Sequence, residues 1–160
     1  VTSPSKKAST KYPCDVFSFT FCFRKPFGTT VSQRSGPDFE IFQVIDGNAT
    51  TAAFSMYLGT TPEREAEHAT RILSTTRGDV GVTVNSIRNS SNINEMDVRI
   101  SYPTGLNIHV FGASTKEERN LLAEMLQSFR RCNKEQFTSI ACSTEPLFDE
   151  EILSEIRVGS

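Results

Sequence analysis

The chain has 160 residues, with 17 Lys and Arg interspersed among 19 Asp and Glu for a formal net charge of −2. That balance leaves no basic face to recruit phosphates, which argues against nucleic acid as a partner. Hydrophobic residues at 37% and charged residues at 22% describe one globular domain rather than a disordered chain, and no apolar run approaches the roughly 20 residues a membrane helix needs.

Residues 1–13, rich in Ser, Thr and Lys, read as a flexible leader ahead of a single domain over 14–158. Residues 16–23 (VFSFTFCF) set Phe17, Phe19, Phe21 and Phe23 on one face, a period of two that is the strongest strand signal in the chain. Turns follow at 25–28 and 35–38, then strands at 39–45 (FEIFQVI) and 54–58 (FSMYL) around an Asp46-Gly47-Asn48 turn. Thr61 and Pro62 are suited to open a short helix over 63–73, although its apolar face is thin. Residues 79–87, 95–102 and 106–111 alternate apolar and polar side chains and predict an antiparallel meander with one wetted face.

The surest helix follows. Ser114 and Glu117 have the spacing of a capping box, and Leu121, Leu122, Met125, Leu126 and Phe129 form one apolar stripe that ends at Arg130 and Arg131. Residues 145–158 predict a short amphipathic helix packed on the body. Together these readings give an α+β fold: a mainly antiparallel sheet with one long helix, about 115–131, packed on it and short flanking helices.

Four cysteines fall in two local pairs, Cys14 with Cys22 and Cys132 with Cys142. An even count suggests disulfides in an exported protein, and four cysteines allow three connectivities. The alternative is four reduced, buried thiols. A continuous strand over 16–23 would hold Cys14 and Cys22 roughly 25 Å apart, whereas a disulfide needs Cα atoms within about 7 Å. Either the chain folds back there, or each of the two pairs with a cysteine near the other end. The absence of a C-x-x-C spacing argues against a zinc knuckle or a thioredoxin-like motif.

No catalytic constellation is legible, and no metal or cofactor is expected. The only histidines are His68 and His109, and none of the H-E-x-x-H, G-x-S-x-G or P-loop patterns occurs. His109 would serve as a general base if Glu95 or Asp97 on the neighbouring strand partnered it; the plainer reading is a half-exposed strand histidine. His68 reads as solvated. Arg77-Gly78-Asp79 reads as the turn entering the next strand rather than as an adhesive motif. A sheet lined by Phe17, Phe19, Phe21 and Phe23 would suit a small-ligand or lipid carrier, but these rings more simply pack under the helix.

Three stretches carry a family likeness. Phe23-Arg24-Lys25-Pro26 leads to Asp38-Phe39-Glu40-Ile41-Phe42-Gln43-Val44. Phe54-Ser55-Met56-Tyr57-Leu58-Gly59-Thr60-Thr61-Pro62 follows, and then Asn107-Ile108-His109-Val110-Phe111 ahead of a helix ending Ser128-Phe129. This order resembles small bacterial periplasmic proteins and lipoproteins, some of them similar to immunity proteins that neutralise toxins of secretion systems, including type VI. The chain departs from that pattern at Phe42, where Tyr is expected, and at Thr60-Thr61, where Asn is expected before Pro62.

The resemblance implies a periplasmic or otherwise exported protein that binds a cognate secreted toxin. A membrane link is expected only through a lipoprotein anchor that has been removed. Loops 24–38, 46–53, 59–64 and 88–94 would make the contacts, with Tyr57, Thr60, Thr61, Arg64, Asn89 and Asn92 as the candidate binding residues.

Overall fold

The computed structural model describes residues 13–18, 20–47, 49–60, 69–135 and 139–159. Their alternating side chains build two antiparallel sheets. The larger holds seven strands in the order β3 (Thr29–Ser35), β4 (Phe39–Asp46), β5 (Phe54–Gly59), β9 (Asn107–Phe111), β8 (Asn94–Ser101), β7 (Val80–Arg88) and β6 (Ala69–Arg77). The smaller runs β1 (Val16–Phe17), β2 (Phe21–Phe23), β10 (Arg130–Glu135) and β11 (Ser139–Cys142). Two helices complete the described elements, α1 (Lys116–Gln127) and α2 (Glu150–Val158).

Period-two patterning decides which face of the large sheet is dry. Phe42 and Val44, Phe54 and Met56, Ile108 and Val110, Val98 and Ile100, and Val82 and Val84 all point inward and are fully or almost fully buried. Leu122, Met125 and Leu126 of α1, Ile152, Leu153 and Ile156 of α2, and Phe21, Phe23 and Phe129 join them in one continuous core. Phe21 stacks on Phe129 with ring centroids 5.3 Å apart and meets Phe42 edge-on at 5.7 Å. Phe21 and Phe23 thus pack into the core, the simpler of the two readings of the Phe-rich strand, while Phe17 lies outside it and Phe19 falls outside the described residues.

The α+β expectation is overturned, because the described residues are mostly antiparallel β and the two helices among them have only 12 and 9 residues. No long helix spans 115–131. Helix α1 ends at Gln127, and Arg130 and Arg131 already pair with Cys22 and Phe21 as strand residues. Ser128 marks the exit: its hydroxyl donates to the Met125 carbonyl and accepts from the Arg24 N–H, each at 2.8 Å, so the chain leaves the helix pinned to the turn after β2. The apolar stripe ran on to Phe129 because that ring stays in the core after the backbone has changed state.

The helix expected over 63–73 is corrected as well. Its first part lies outside the described residues, and the rest belongs to β6. Thr70, Ile72, Thr75 and Thr76 are β-branched and favour a pleated strand, which a hairpin at Gly78 pairs with β7. A register shift between Arg71 and Leu73 hides the alternation.

Residues 16–23 do not run as one strand. The chain reverses between β1 and β2, closed by Ser18 N–H donating to the Phe21 carbonyl at 2.8 Å and by pairing of Phe17 with Cys22. That reversal brings the Cα atoms of Cys14 and Cys22 to 5.7 Å and lets them bond, and Cys132 bonds Cys142 directly across β10 and β11. Folding back, one of the two routes open in the sequence, is the one taken. The bridges point to an oxidising environment, and no helix among the described residues is long and apolar enough to cross a membrane.

The capping box of α1 sits one residue later than its sequence spacing predicts. Thr115 is the N-cap, its hydroxyl accepting from Glu118 N–H at 3.1 Å, while the Glu118 carboxylate accepts from the N–H groups of Ser114 and Thr115 at 2.9 and 3.1 Å. Burial alone would raise the Glu118 pKa, but the hydrogen bonds from Ser114 and Thr115 outweigh it and hold the carboxyl below its ordinary value. A depressed carboxylate stabilises the fold above its unfolded pKa and loses that contribution as pH falls through the folded one. Thr115→Ala is expected to cost about 1 kcal/mol in urea unfolding at neutral pH. The Glu118 contribution should fade on acidification, and Glu118→Gln should remove that part of the pH dependence.

Candidate functional site

The outer face of the large sheet carries what the inner face excludes. Strand register sets Arg34, Ile41, Tyr57, His109, Arg99, Thr83 and Ser74 in one row across it, with Ser32, Gln43, Ser55, Phe111, Asp97, Asn85 and Arg71 in the next. Two polar residues here are almost wholly buried, Asp97 at 0% exposure and Asn85 at 1%. A carboxylate taken out of water is tolerated only when it is paired. Asp97 Oδ1 lies 2.6 Å from His109 Nε2 and 3.5 Å from Arg99 Nε, and Arg99 Nη2 donates to Oδ2 at 3.5 Å. Asn85 Oδ1 accepts from Arg71 Nε at 2.7 Å. This network fixes the polar side chains of the two rows in place.

Aromatic rings flank that network and lie flat along the sheet. Phe39 stacks on Tyr57 with centroids 6.2 Å apart and planes 17° from parallel, and His109 meets Phe111 at 4.8 Å. Glycines make the flat pose possible: a Cβ on Gly36 would run into the Phe39 ring, and one on Gly59 into the Tyr57 ring. The result is a surface of Phe39, Tyr57, His109, Arg99 and Phe111 on rigid strands. Tyr and Arg on a rigid scaffold are the side chains that most often anchor protein–protein contacts.

Of the binding residues expected from sequence, only Tyr57 belongs to this surface. Thr61 and Arg64 lie outside the described residues. Thr60 follows β5 at the sheet end that carries the β3–β4 and β8–β9 turns, whereas Asn89 and Asn92 sit between β7 and β8 at the opposite end. Strands of six to nine residues keep those ends roughly 20–30 Å apart. The candidate loops therefore divide between two ends of the sheet.

Asn89 is occupied in building its own turn: its Oδ1 accepts from Ser91 and Ile93 N–H at 2.9 and 3.0 Å, and its Nδ2 donates to Glu95 at 2.8 Å. Exposed Asn92 adopts a positive φ of 64° and accepts from Arg88 at 2.8 Å.

His109 is only 12% exposed and contacts Asp97, not Glu95, so the half-exposed strand histidine is corrected to a paired, nearly buried one. His68 lies outside the described residues. Arg77-Gly78-Asp79 forms the β6–β7 turn, with Arg77 held by Asp149 at 3.1 Å and Asp79 by Arg131. Side-chain hydrogen bonding from Arg131 holds the Asp79 carboxyl below its usual range. Phe39, Phe111, Arg99 and the two glycines do not stand out in the sequence as site residues, although Gly36 and Gly59 beside aromatic-rich strands are a usable signal.

The chain matches no protein-family model, and no curated protein or solved structure matches it.

Proposed function

We propose that this chain is an exported binding protein that docks a protein partner on the outer face of its seven-stranded sheet. The observation that carries the reading is the flat Phe39–Tyr57 stack beside Arg99, His109 and Phe111, braced from beneath by buried Asp97. Rigid aromatic rings bind with little loss of side-chain entropy, and their fixed pose favours one partner geometry. The partner class suggested by the sequence pattern is a cognate secreted toxin, neutralised in the periplasm when this face covers it. The carrier reading loses its support now that Phe21 and Phe23 pack into the core.

A second reading draws on the closeness of Asp97 Oδ1 to His109 Nε2, 2.6 Å apart, the kind of pairing that supports a general base. Its cross-strand neighbours are Tyr57 and Arg99, which suit recognition better than nucleophilic attack.

The test is to co-express the protein, directed to the periplasm, with the product of the adjacent gene. The wild type is expected to protect the cells and to co-purify with that product, and Tyr57→Ala with Phe111→Ser is expected to do neither. No protection by the wild type, or equal protection by the double variant, would overturn the reading. Protection that survives Tyr57→Ala but fails with His109→Ala would favour the catalytic one.

A further inference from the structure

We propose that the four cysteines, once their bridges are reduced, form a thiolate site for one soft divalent metal ion of the zinc type. Register places them together. Cys22 lies opposite Arg130, two residues before Cys132, and Cys132 lies opposite Cys142. Opposed residues share a face and so do alternate ones, so all three sulfurs leave the same side of the small sheet, away from the side on which Phe21 and Phe23 enter the core. The sulfurs of Cys22, Cys132 and Cys142 all lie within 4.8 Å of one another, and Cys14 is bonded to Cys22. The four form a buried cluster of their own, none more than 8% exposed.

A tetrahedral ion with metal–sulfur bonds of about 2.3 Å sets its sulfurs about 3.8 Å apart. For Cys22, Cys132 and Cys142 that arrangement asks for side-chain shifts on the order of 1 Å, which rotation about χ1 supplies. Cys14, which stands outside that trio and is tied to Cys22, has farther to swing to become the fourth ligand. Sequence spacing conceals the site, because three adjacent strands rather than a C-x-x-C turn present the ligands.

The chemistry balances without an unnamed reagent. Each bridge takes two electrons and two protons from a dithiol reductant, which leaves as its own disulfide. Metal binding then releases the four thiol protons, so affinity rises with pH. The filled site carries two net negative charges, and Arg130 brings a positive charge to the same face opposite Cys22. Where dithiols prevail the metal form stands; in an oxidising compartment the bridges do.

The experiment reduces the full chain with a phosphine under anaerobic conditions and titrates it with Co²⁺, then Zn²⁺. The expected result is one Co²⁺ per chain with the charge-transfer and ligand-field bands of a tetrahedral thiolate site, displaced by Zn²⁺, which also raises the melting temperature of the reduced protein. The oxidised protein should bind neither ion at the same concentrations. Cys14→Ser and Cys132→Ser, reduced alike, should each weaken binding about tenfold or more. The proposal is overturned by sub-stoichiometric uptake, by an octahedral spectrum, by equal binding in either variant or in the oxidised protein, or by a reduced chain that zinc fails to stabilise.

Discussion

Asp97→Ala is expected to destabilise the protein by about 3 kcal/mol, read from the urea midpoint at unchanged slope. The carboxylate is wholly buried, and it is the anion that Arg99 and His109 share, their side chains only 16% and 12% exposed. Removing it leaves two cationic or hydrogen-bonding groups facing a small void in the middle of the sheet. Asp97→Asn keeps the volume and part of the hydrogen bonding, so it should cost roughly half as much. A loss of less than about 0.5 kcal/mol for the alanine variant, typical of a plain surface position, would show that the network is not what holds this face together.

Breaking both bridges should have the larger effect. They join residues 8 and 10 apart in sequence, and loops of that size are worth roughly 2.5–3 kcal/mol each in the chain-entropy account. Together they contribute about 5 kcal/mol, comparable with the whole stability of many domains. Both bridges belong to the small sheet, so loss of hydrogen-exchange protection should begin at Phe21–Phe23 and Arg130–Glu135 and reach the seven-stranded sheet later. In calorimetry the metal-free reduced protein should melt roughly 10–20 °C lower than the oxidised one. An unchanged melting temperature would mean that the small sheet holds without its bridges.

The fold was legible where one physical signal acted alone. Val80, Val82 and Val84, then Met96, Val98 and Ile100, alternate without interruption, and they form the meander β7–β8–β9 much as their pattern predicts. Residues 16–23 alternate just as well and still reverse midway, because period two records which face a side chain takes and says nothing of where the backbone turns. The stripe from Leu121 to Phe129 overran its helix for a related reason: burial continued after the helix stopped. Strand β6 does not read as a strand in the sequence because its bulge at Ile72 breaks the alternation and its apolar content is low.

The site was legible only in fragments. Tyr57 and the Asp97–His109 alternative were within reach, since each depends on neighbouring strands. The flat aromatic surface depends on Gly36 and Gly59 lying beneath particular rings, and the sulfur cluster on the register between β2 and β10. The glycines stand three and two residues from their rings, a local signal, whereas the Phe39–Tyr57 stack and the sulfur cluster are long-range facts that local spacing does not encode.

The docking face is tested most directly by titration calorimetry of the purified product of the adjacent gene against wild type, Tyr57→Ala and Asn92→Ala. Tyr57→Ala should weaken binding about tenfold or more, equivalent to at least about 1.4 kcal/mol, while Asn92→Ala, at the loop end of the sheet, should bind as the wild type does. Unchanged affinity for Tyr57→Ala together with a loss for Asn92→Ala would contradict the account and move the interface to the loops.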